Sequence, residues 1–396
     1  MNSELDLLQP YPFEKLRQLF TGLNPDSSLA AITLGIGEPQ HPAPEFVLQA
    51  LRENLDLLAK YPQTLGIGEL RQTAARWATQ RFGLPGLDAD SQLIPVTGTR
   101  EALFAIAQAV VNRDHKPLVI APNPFYQIYE GAALLAGAEL KLLNCTAENN
   151  FAPDFDDISD EEWQRCQLLF LCSPGNPTGA VLSENILVKL IQLSIEHDFV
   201  IASDECYSEI YQDEESPPVG LLQACVSAGN LDFKNCLIFQ SLSKRSNLPG
   251  LRSGFVAGDA DILKKFMLYR TYQGCAMPPH HQVASVAAWS NEEHVRENRI
   301  QYRLKFDAVL TELNGVLELR RPSASFYLWP QTPIADTDFA AGLYEQKNLT
   351  VLPGRFLGRE CEGGNPGAGH VRMALVASVE QCTQAAQRIH QFVETL

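Results

Sequence analysis

The chain has 396 residues, 45% of them hydrophobic and 20% charged, ordinary values for a globular enzyme of two to three closely joined domains with a large buried core. Asp and Glu outnumber Lys and Arg by 47 to 31, and the net charge of −16 argues against nucleic acid or an anionic membrane as the main partner, while leaving small anions to a few buried arginines. The 9 cysteines are scattered without a C-x-x-C, the acidic N-terminal stretch lacks the pattern of a signal peptide, and no apolar run approaches a membrane span, so a reduced, cytoplasmic protein is expected.

In chain order, Val47, Leu51, Leu55 and Leu58 lie on one face of a helix expected from Pro44 to Leu58, and Leu70, Ala74 and Trp77 mark a second that stops near Gly83. Short apolar runs then follow at 93–96, 118–121, 140–143, 168–172, 199–202, 237–239 and 254–257, several of them separated by helical patterns at 101–111, 126–136 and 184–196. Continuous apolar strands joined by helices predict an α/β fold with a mostly parallel sheet covered on both faces. After about residue 290 a long charged helix, a strand at 325–329, a strand at 371–376 and a closing helix from Val379 predict a smaller α+β domain. The expected division is 1–60, an N-terminal segment completing the small domain; 61–290, the large domain; and 291–396, the C-terminal small domain.

Chemistry concentrates between Cys172 and Gly254. Ser173-Pro174-Gly175-Asn176-Pro177-Thr178-Gly179 is a Pro/Gly turn that presents Asn176 at the end of an apolar strand, the edge where open α/β sheets collect ligands. Asp204 ends the run Phe199-Val200-Ile201-Ala202-Ser203, where a desolvated carboxylate needs a cation or strong hydrogen bonds. Read alone, the first is also a capped turn and the second also a helix N-cap. Lys244 follows a buried strand and Ser241 and Ser243. Desolvation and nearby positive charge would lower its pKa and make the amine nucleophilic. Ser241, Ser243 and Arg252 offer donors suited to a phosphate.

The ordered set Asn176, Asp204-x-x-Tyr207, Ser241-x-Ser243-Lys244 and Arg252 resembles the class I/II pyridoxal-phosphate aminotransferases of fold type I, over essentially the whole chain. The resemblance implies pyridoxal 5'-phosphate as cofactor and Lys244 as the lysine that forms its imine and shuttles the substrate proton. It further implies Asp204 against the pyridine nitrogen, Asn176 and Tyr207 against the phenolic oxygen, and Ser241, Ser243 and Arg252 in the phosphate cup. Gly98, Thr99 and Arg100, in the turn Val96-Thr97-Gly98-Thr99-Arg100, match the cup's other wall at a helix N-terminus, and Tyr126 matches the aromatic stacked on the ring. Arg372 matches the arginine that grips the substrate carboxylate, with Asn176 beside it, and Gly37 of Leu34-Gly35-Ile36-Gly37-Glu38-Pro39 matches the N-terminal substrate loop. Tyr61 matches a tyrosine that reaches the neighbouring subunit's phosphate, which implies a homodimer with shared sites. Cys206 lies within the motif without a mechanism that needs its thiol, and His280-His281 has no metal-ligand spacing around it, so no metal is expected.

At closer range, the stretches Ser243–Asp259, Tyr269–Gly274 and Ala287–Trp289 with Glu293–Asn298 resemble the succinyldiaminopimelate transaminases of lysine biosynthesis. That resemblance implies transfer of an amino group between N-succinyl-LL-2,6-diaminoheptanedioate and 2-oxoglutarate or glutamate. The long polycarboxylate substrate needs a second cation, for which Arg100, Arg245, Arg270 and Arg355 are the expected candidates. Transamination of aspartate, alanine or an aromatic amino acid, β-elimination at a carbon–sulfur bond, and a non-catalytic cofactor-binding sensor remain the alternatives at this stage.

Overall fold

The computed structural model describes residues 2–396. Its centre is a seven-stranded sheet of β1 (Leu93–Val96), β2 (Leu118–Asn123), β3 (Glu139–Asn144), β4 (Cys166–Cys172), β5 (Val200–Asp204), β6 (Cys236–Ser241) and β7 (Gly254–Gly258), in the order β1-β7-β6-β5-β4-β2-β3. All neighbours are parallel except β7, which runs antiparallel to both β1 and β6. Successive strand side chains alternate between two cores. Ile120, Leu169, Ile201, Ile238 and Phe255 pack with helices Gly68–Phe82, Glu184–His197, Leu221–Ser227 and Pro279–Trp289. Val119, Phe170, Ala202, Phe239 and Val256 pack with helices Thr99–Val110, Ile128–Leu135 and Ala260–Gln273. Burial on both faces is why these strands read as unbroken apolar runs.

The antiparallel β7 is not legible in the runs, because apolarity carries no direction. Its consequence is local: the chain leaves β6, makes the short helix Leu242–Arg245 and the turn Pro249–Leu251, and returns beside the strand it left, with Ser241 opposite Gly254. A Cβ on Gly254 would run into the Gln240 carbonyl oxygen, so only glycine lets the two backbones approach there.

A third core lies in the C-terminal part, where β8 (Tyr327–Leu328), β9 (Leu352–Pro353) and β10 (Val371–Ala374) form an antiparallel sheet in the order β9-β10-β8. The N-terminal segment enters this core: Ile32 and Thr33 pair in parallel with Leu349 and Thr350, and the Ala374 N–H donates to the Leu34 carbonyl at 2.7 Å. Helices Glu293–Glu312 and Val379–Val393 cover it.

The helix expected from Pro44 to Leu58 divides at Asn54 into Glu45–Glu53 and a 3-10 turn Leu55–Ala59; Val47 is buried while Leu55 and Leu58 are exposed. Helices Pro12–Leu19, Asp160–Arg165, Leu221–Ser227, Ala260–Gln273 and Pro279–Trp289 stand outside the expected pattern. Two have local signals: Ser159 and Glu162 form a capping box, and the Asp259 carboxylate accepts from the N–H groups of Asp261 and Ile262. No helix among the described residues is long and apolar enough to cross a membrane.

Candidate active site

The carboxyl ends of β1, β4, β5 and β6 open into one cavity of about 400 Å³. Its lining includes Gly37, Thr99, Arg100, Tyr126, Asn176, Asp204, Tyr207, Ser241, Ser243, Lys244, Arg252 and Arg372, which stand far apart in the chain.

Lys244 sits in the turn that β7's reversal creates, and its amine donates to the Gly37 carbonyl oxygen. Burial lowers its pKa to about 8, and Arg372 and Arg252 push the same way. Asp204, at the end of β5, receives the Tyr129 hydroxyl at 2.9 Å and the Cys206 N–H at 3.3 Å. Both donors are neutral, and desolvation raises the pKa of this carboxylate. Tyr129 is a functional contact missed in the sequence, where it reads as one more apolar position of its helix.

Ser241, Ser243 and Arg252 cluster beside the N-terminus of helix Thr99–Val110. The Ser241 hydroxyl donates to Ser243 Oγ at 2.9 Å and accepts the Ser243 N–H at 3.0 Å. Gly98 does not itself line the cavity, yet it has φ +83° and a Cβ there would collide with the Arg252 guanidinium, so its lack of a side chain lets Arg252 lie across the helix end. Backbone N–H groups, hydroxyls and a guanidinium thus converge as an anion cup.

The opposite wall is built around a buried arginine. Arg372, 4% exposed, donates to Asn176 Oδ1 at 2.9 Å and to the Gly35 carbonyl at 2.7 Å, with its guanidinium 4.6 Å over the Tyr327 ring. Tyr207 meets Tyr327 hydroxyl to hydroxyl at 2.9 Å. Gly37 is required sterically, since a Cβ would strike the Tyr327 hydroxyl. At the mouth, Arg100 donates to the hydroxyls of Tyr126 and Tyr11, both at 2.6 Å. Tyr11 and Tyr327 are also missed in the sequence, lying in segments whose approach to the cavity is tertiary.

Other expectations fall away from the cavity. Tyr61 is fully exposed and does not line it. Of the four candidates for a contact with the distal carboxylate, Arg100 is at the mouth and the other three are paired elsewhere. Arg245 points away from Lys244, between Trp77 and Trp289 and against Glu292; Arg270 is held by both oxygens of Glu101 at 2.8 and 2.7 Å; Arg355 pairs with Asp336 at 2.6 Å. Adjacency to the motif says nothing about which face of a helix a side chain leaves from.

A family model for aminotransferases of class I and II matches residues 30–389. The chain belongs to this family. An LL-diaminopimelate aminotransferase of Nitratidesulfovibrio vulgaris (strain Miyazaki F) is 31% identical, with 90% of each chain covered. The crystal structure of an aminotransferase from Neisseria meningitidis is 49% identical, with TM-score 0.94 over 98% of this chain and 99% of that one. A probable N-succinyldiaminopimelate aminotransferase of Thermus thermophilus is 27% identical, with TM-score 0.84 over 96% of this chain and 98% of the other.

Class I and II aminotransferases use pyridoxal 5'-phosphate, and the residues present fit it. A buried carboxylate with only neutral donors accommodates a cationic ring nitrogen, a lysine amine of lowered pKa accommodates an aldehyde, and the cup accommodates a phosphate. When bound, the cofactor supplies an electron sink for the charge released at the substrate's α-carbon.

Proposed function

We propose that this aminotransferase moves an amino group between N-succinyl-LL-2,6-diaminoheptanedioate and 2-oxoglutarate, with glutamate as donor in the reverse direction, in diaminopimelate and lysine biosynthesis. Lys244 is assigned the covalent attachment of the cofactor and the transfer of the α-proton through its low-pKa amine. Asp204 holds the ring nitrogen protonated, Tyr126 covers the ring, and Asn176 and Tyr207 meet its phenolic oxygen. Ser241, Ser243, Arg252 and the turn of Gly98, Thr99 and Arg100 hold the phosphate. Arg372 takes the substrate's α-carboxylate, with Asn176 and the loop of Gly37 beside it. Tyr61, exposed and remote from its own cavity, is assigned to the phosphate of a second copy, which makes the working unit a homodimer in the cytoplasm.

One observation carries the choice of substrate. Besides Arg252 and Arg372 the cavity is lined by a third arginine, Arg100, whose main chain belongs to the phosphate turn while its guanidinium lies at the mouth, and among the described residues the lining includes no carboxylate except Asp204 on the floor. A distal end bearing carboxylates and an amide suits that rim. A distal free ammonium would find no acidic partner among the residues lining that rim, where the nearby Glu38 is not included. The second reading, unsuccinylated LL-2,6-diaminoheptanedioate, is favoured by the name of the Nitratidesulfovibrio relative.

Single-turnover absorbance of the cofactor-loaded protein separates them. Fast conversion by glutamate and the succinylated compound, and slow conversion by the free diamino acid, is the expected result. Conversion by the free diamino acid alone moves the assignment to the second reading. Conversion by neither, with aspartate, alanine or phenylalanine active, discards both substrates and keeps the aminotransferase.

A further inference from the structure

Beneath the cavity, three polar side chains link the lysine turn, the N-terminal loop and the small domain. Asn298, on helix Glu293–Glu312, donates through Nδ2 to the carbonyls of Lys244 at 3.2 Å and Arg245 at 3.3 Å. Those two acceptors fix the amide's orientation, so Oδ1 must face the other way. There it meets His41 Nδ1 at 2.6 Å and the Asn247 amide at 3.1 Å. His41 therefore carries its proton on Nδ1, and Nε2 is an acceptor. That acceptor faces the Lys305 amine at 2.6 Å, which also donates to the Val376 carbonyl at 3.2 Å. Lys305 is 1% exposed and both of these ligands are neutral. A buried lysine with only neutral partners is costly to keep charged.

The connections form a closed ring. The loop meets Lys244 at Gly37, whose carbonyl takes the amine, and again at His41, which reaches the main chain of the same lysine through Asn298. Pro39 and Pro42 stiffen the short span around these contacts, so a shift at His41 is passed to Gly37 instead of being absorbed. The Gly37 bond uses the Lys244 amine, whose hydrogens fall in number as it reacts, whereas the link through Asn298 does not involve the amine. The same loop supplies the Gly35 carbonyl that orients Arg372.

We propose that His41, Asn298 and Lys305 are positioning residues that hold loop 35–41 in register with Lys244, so that the amino acid's carboxylate and α-carbon are presented to the lysine amine together. This rests on the role proposed for Lys244, and a Lys244→Ala protein that still converts glutamate would remove that role independently.

The test compares the loaded full-length protein with His41→Ala, Lys305→Met and the conservative His41→Asn, whose amide can restore the donor to Asn298. The glutamate half-reaction is read as apparent affinity and limiting rate, and loop exchange is read by amide hydrogen exchange on the cofactor-free protein. His41→Ala and Lys305→Met are expected to weaken glutamate affinity about tenfold, as loss of one buried hydrogen bond implies, with a smaller fall in limiting rate. Exchange across residues 35–42 should quicken by a similar factor, with His41→Asn recovering most of both losses. Wild-type affinity and exchange in folded variants would overturn the proposal. So would a His41→Asn protein as impaired as His41→Ala, or a deficit accounted for entirely by lost cofactor or melting temperature.

Discussion

Arg372 and Arg270 are both nearly inaccessible, at 4% and 0% exposure, and both leave Nε without a partner, yet they serve opposite ends. Arg270 is clasped by both oxygens of Glu101, and Glu101 in turn accepts from the Thr97 N–H and hydroxyl. Arg372 is bonded only to an amide oxygen and a carbonyl. The same contrast divides the molecule more widely. In the surrounding core, Arg359 has Glu130 and Arg245 has Glu292, whereas in the cavity Lys244 and Asp204 also have neutral hydrogen-bond partners. Buried arginines of the core are neutralised on the spot, whereas the charges in the cavity are held by neutral groups and stay open to a ligand of opposite charge; Lys305, also held by neutral groups, lies outside the cavity lining and ties the loop to the small domain instead.

That contrast can be broken or sharpened by substitution, with effects on turnover that decline in order. Lys244→Ala should lower the half-reaction rate by about 10⁴-fold, measured by single-turnover absorbance. In cofactor-free protein an amine-directed reagent should label Lys244 with a midpoint near its pKa of about 8, well below the ordinary 10.5. Between those values the unfolded chain holds a proton that the folded chain has lost, so this group makes stability rise with pH, and Lys244→Met should flatten that rise in pH-dependent denaturation.

Asp204→Asn should cost about 10²- to 10³-fold in kcat, as expected on removing a charge aimed at the reacting system, with cofactor retained. Arg372→Lys keeps the charge but loses the planar fork, and should raise KM for the amino acid by about 10- to 100-fold. Arg270→Met should leave KM unchanged while costing about 1.5–3 kcal/mol in chemical denaturation, because Glu101 loses its cation but stays partly exposed and keeps its Thr97 donors. An Arg270 variant with normal stability and a raised KM would erase the distinction between scaffold and ligand-binding arginines.

Much of this is legible in the chain. The strands are visible because a sheet buried on both faces demands unbroken apolar runs, and the ends of those runs mark where Asn176, Asp204 and Lys244 stand. Direction is not legible: β7 looks like its neighbours, and only pairing shows that it turns back and sets Lys244 in a tight connection. The arginines show the limit most clearly. Arg245 and Arg270 lie in the motif-bearing stretches and Arg355 in a plausible loop, but their neighbours in space are Glu292, Glu101 and Asp336. Tyr129, Tyr327 and Tyr11 carry no functional mark, and Asn298 is marked only as the end of a stretch of family resemblance, with nothing to show that it reaches the lysine turn.

The residue types and their order are enough to specify an α/β chain with a lysine, a desolvated carboxylate and phosphate-suited donors at strand ends, since those depend on local burial there. Which charges are neutralised and which stay open depends on partners distant in sequence. Only the tertiary structure decides that, because whether a buried ion finds its counter-ion within a few ångströms is a matter of packing and not of neighbouring letters.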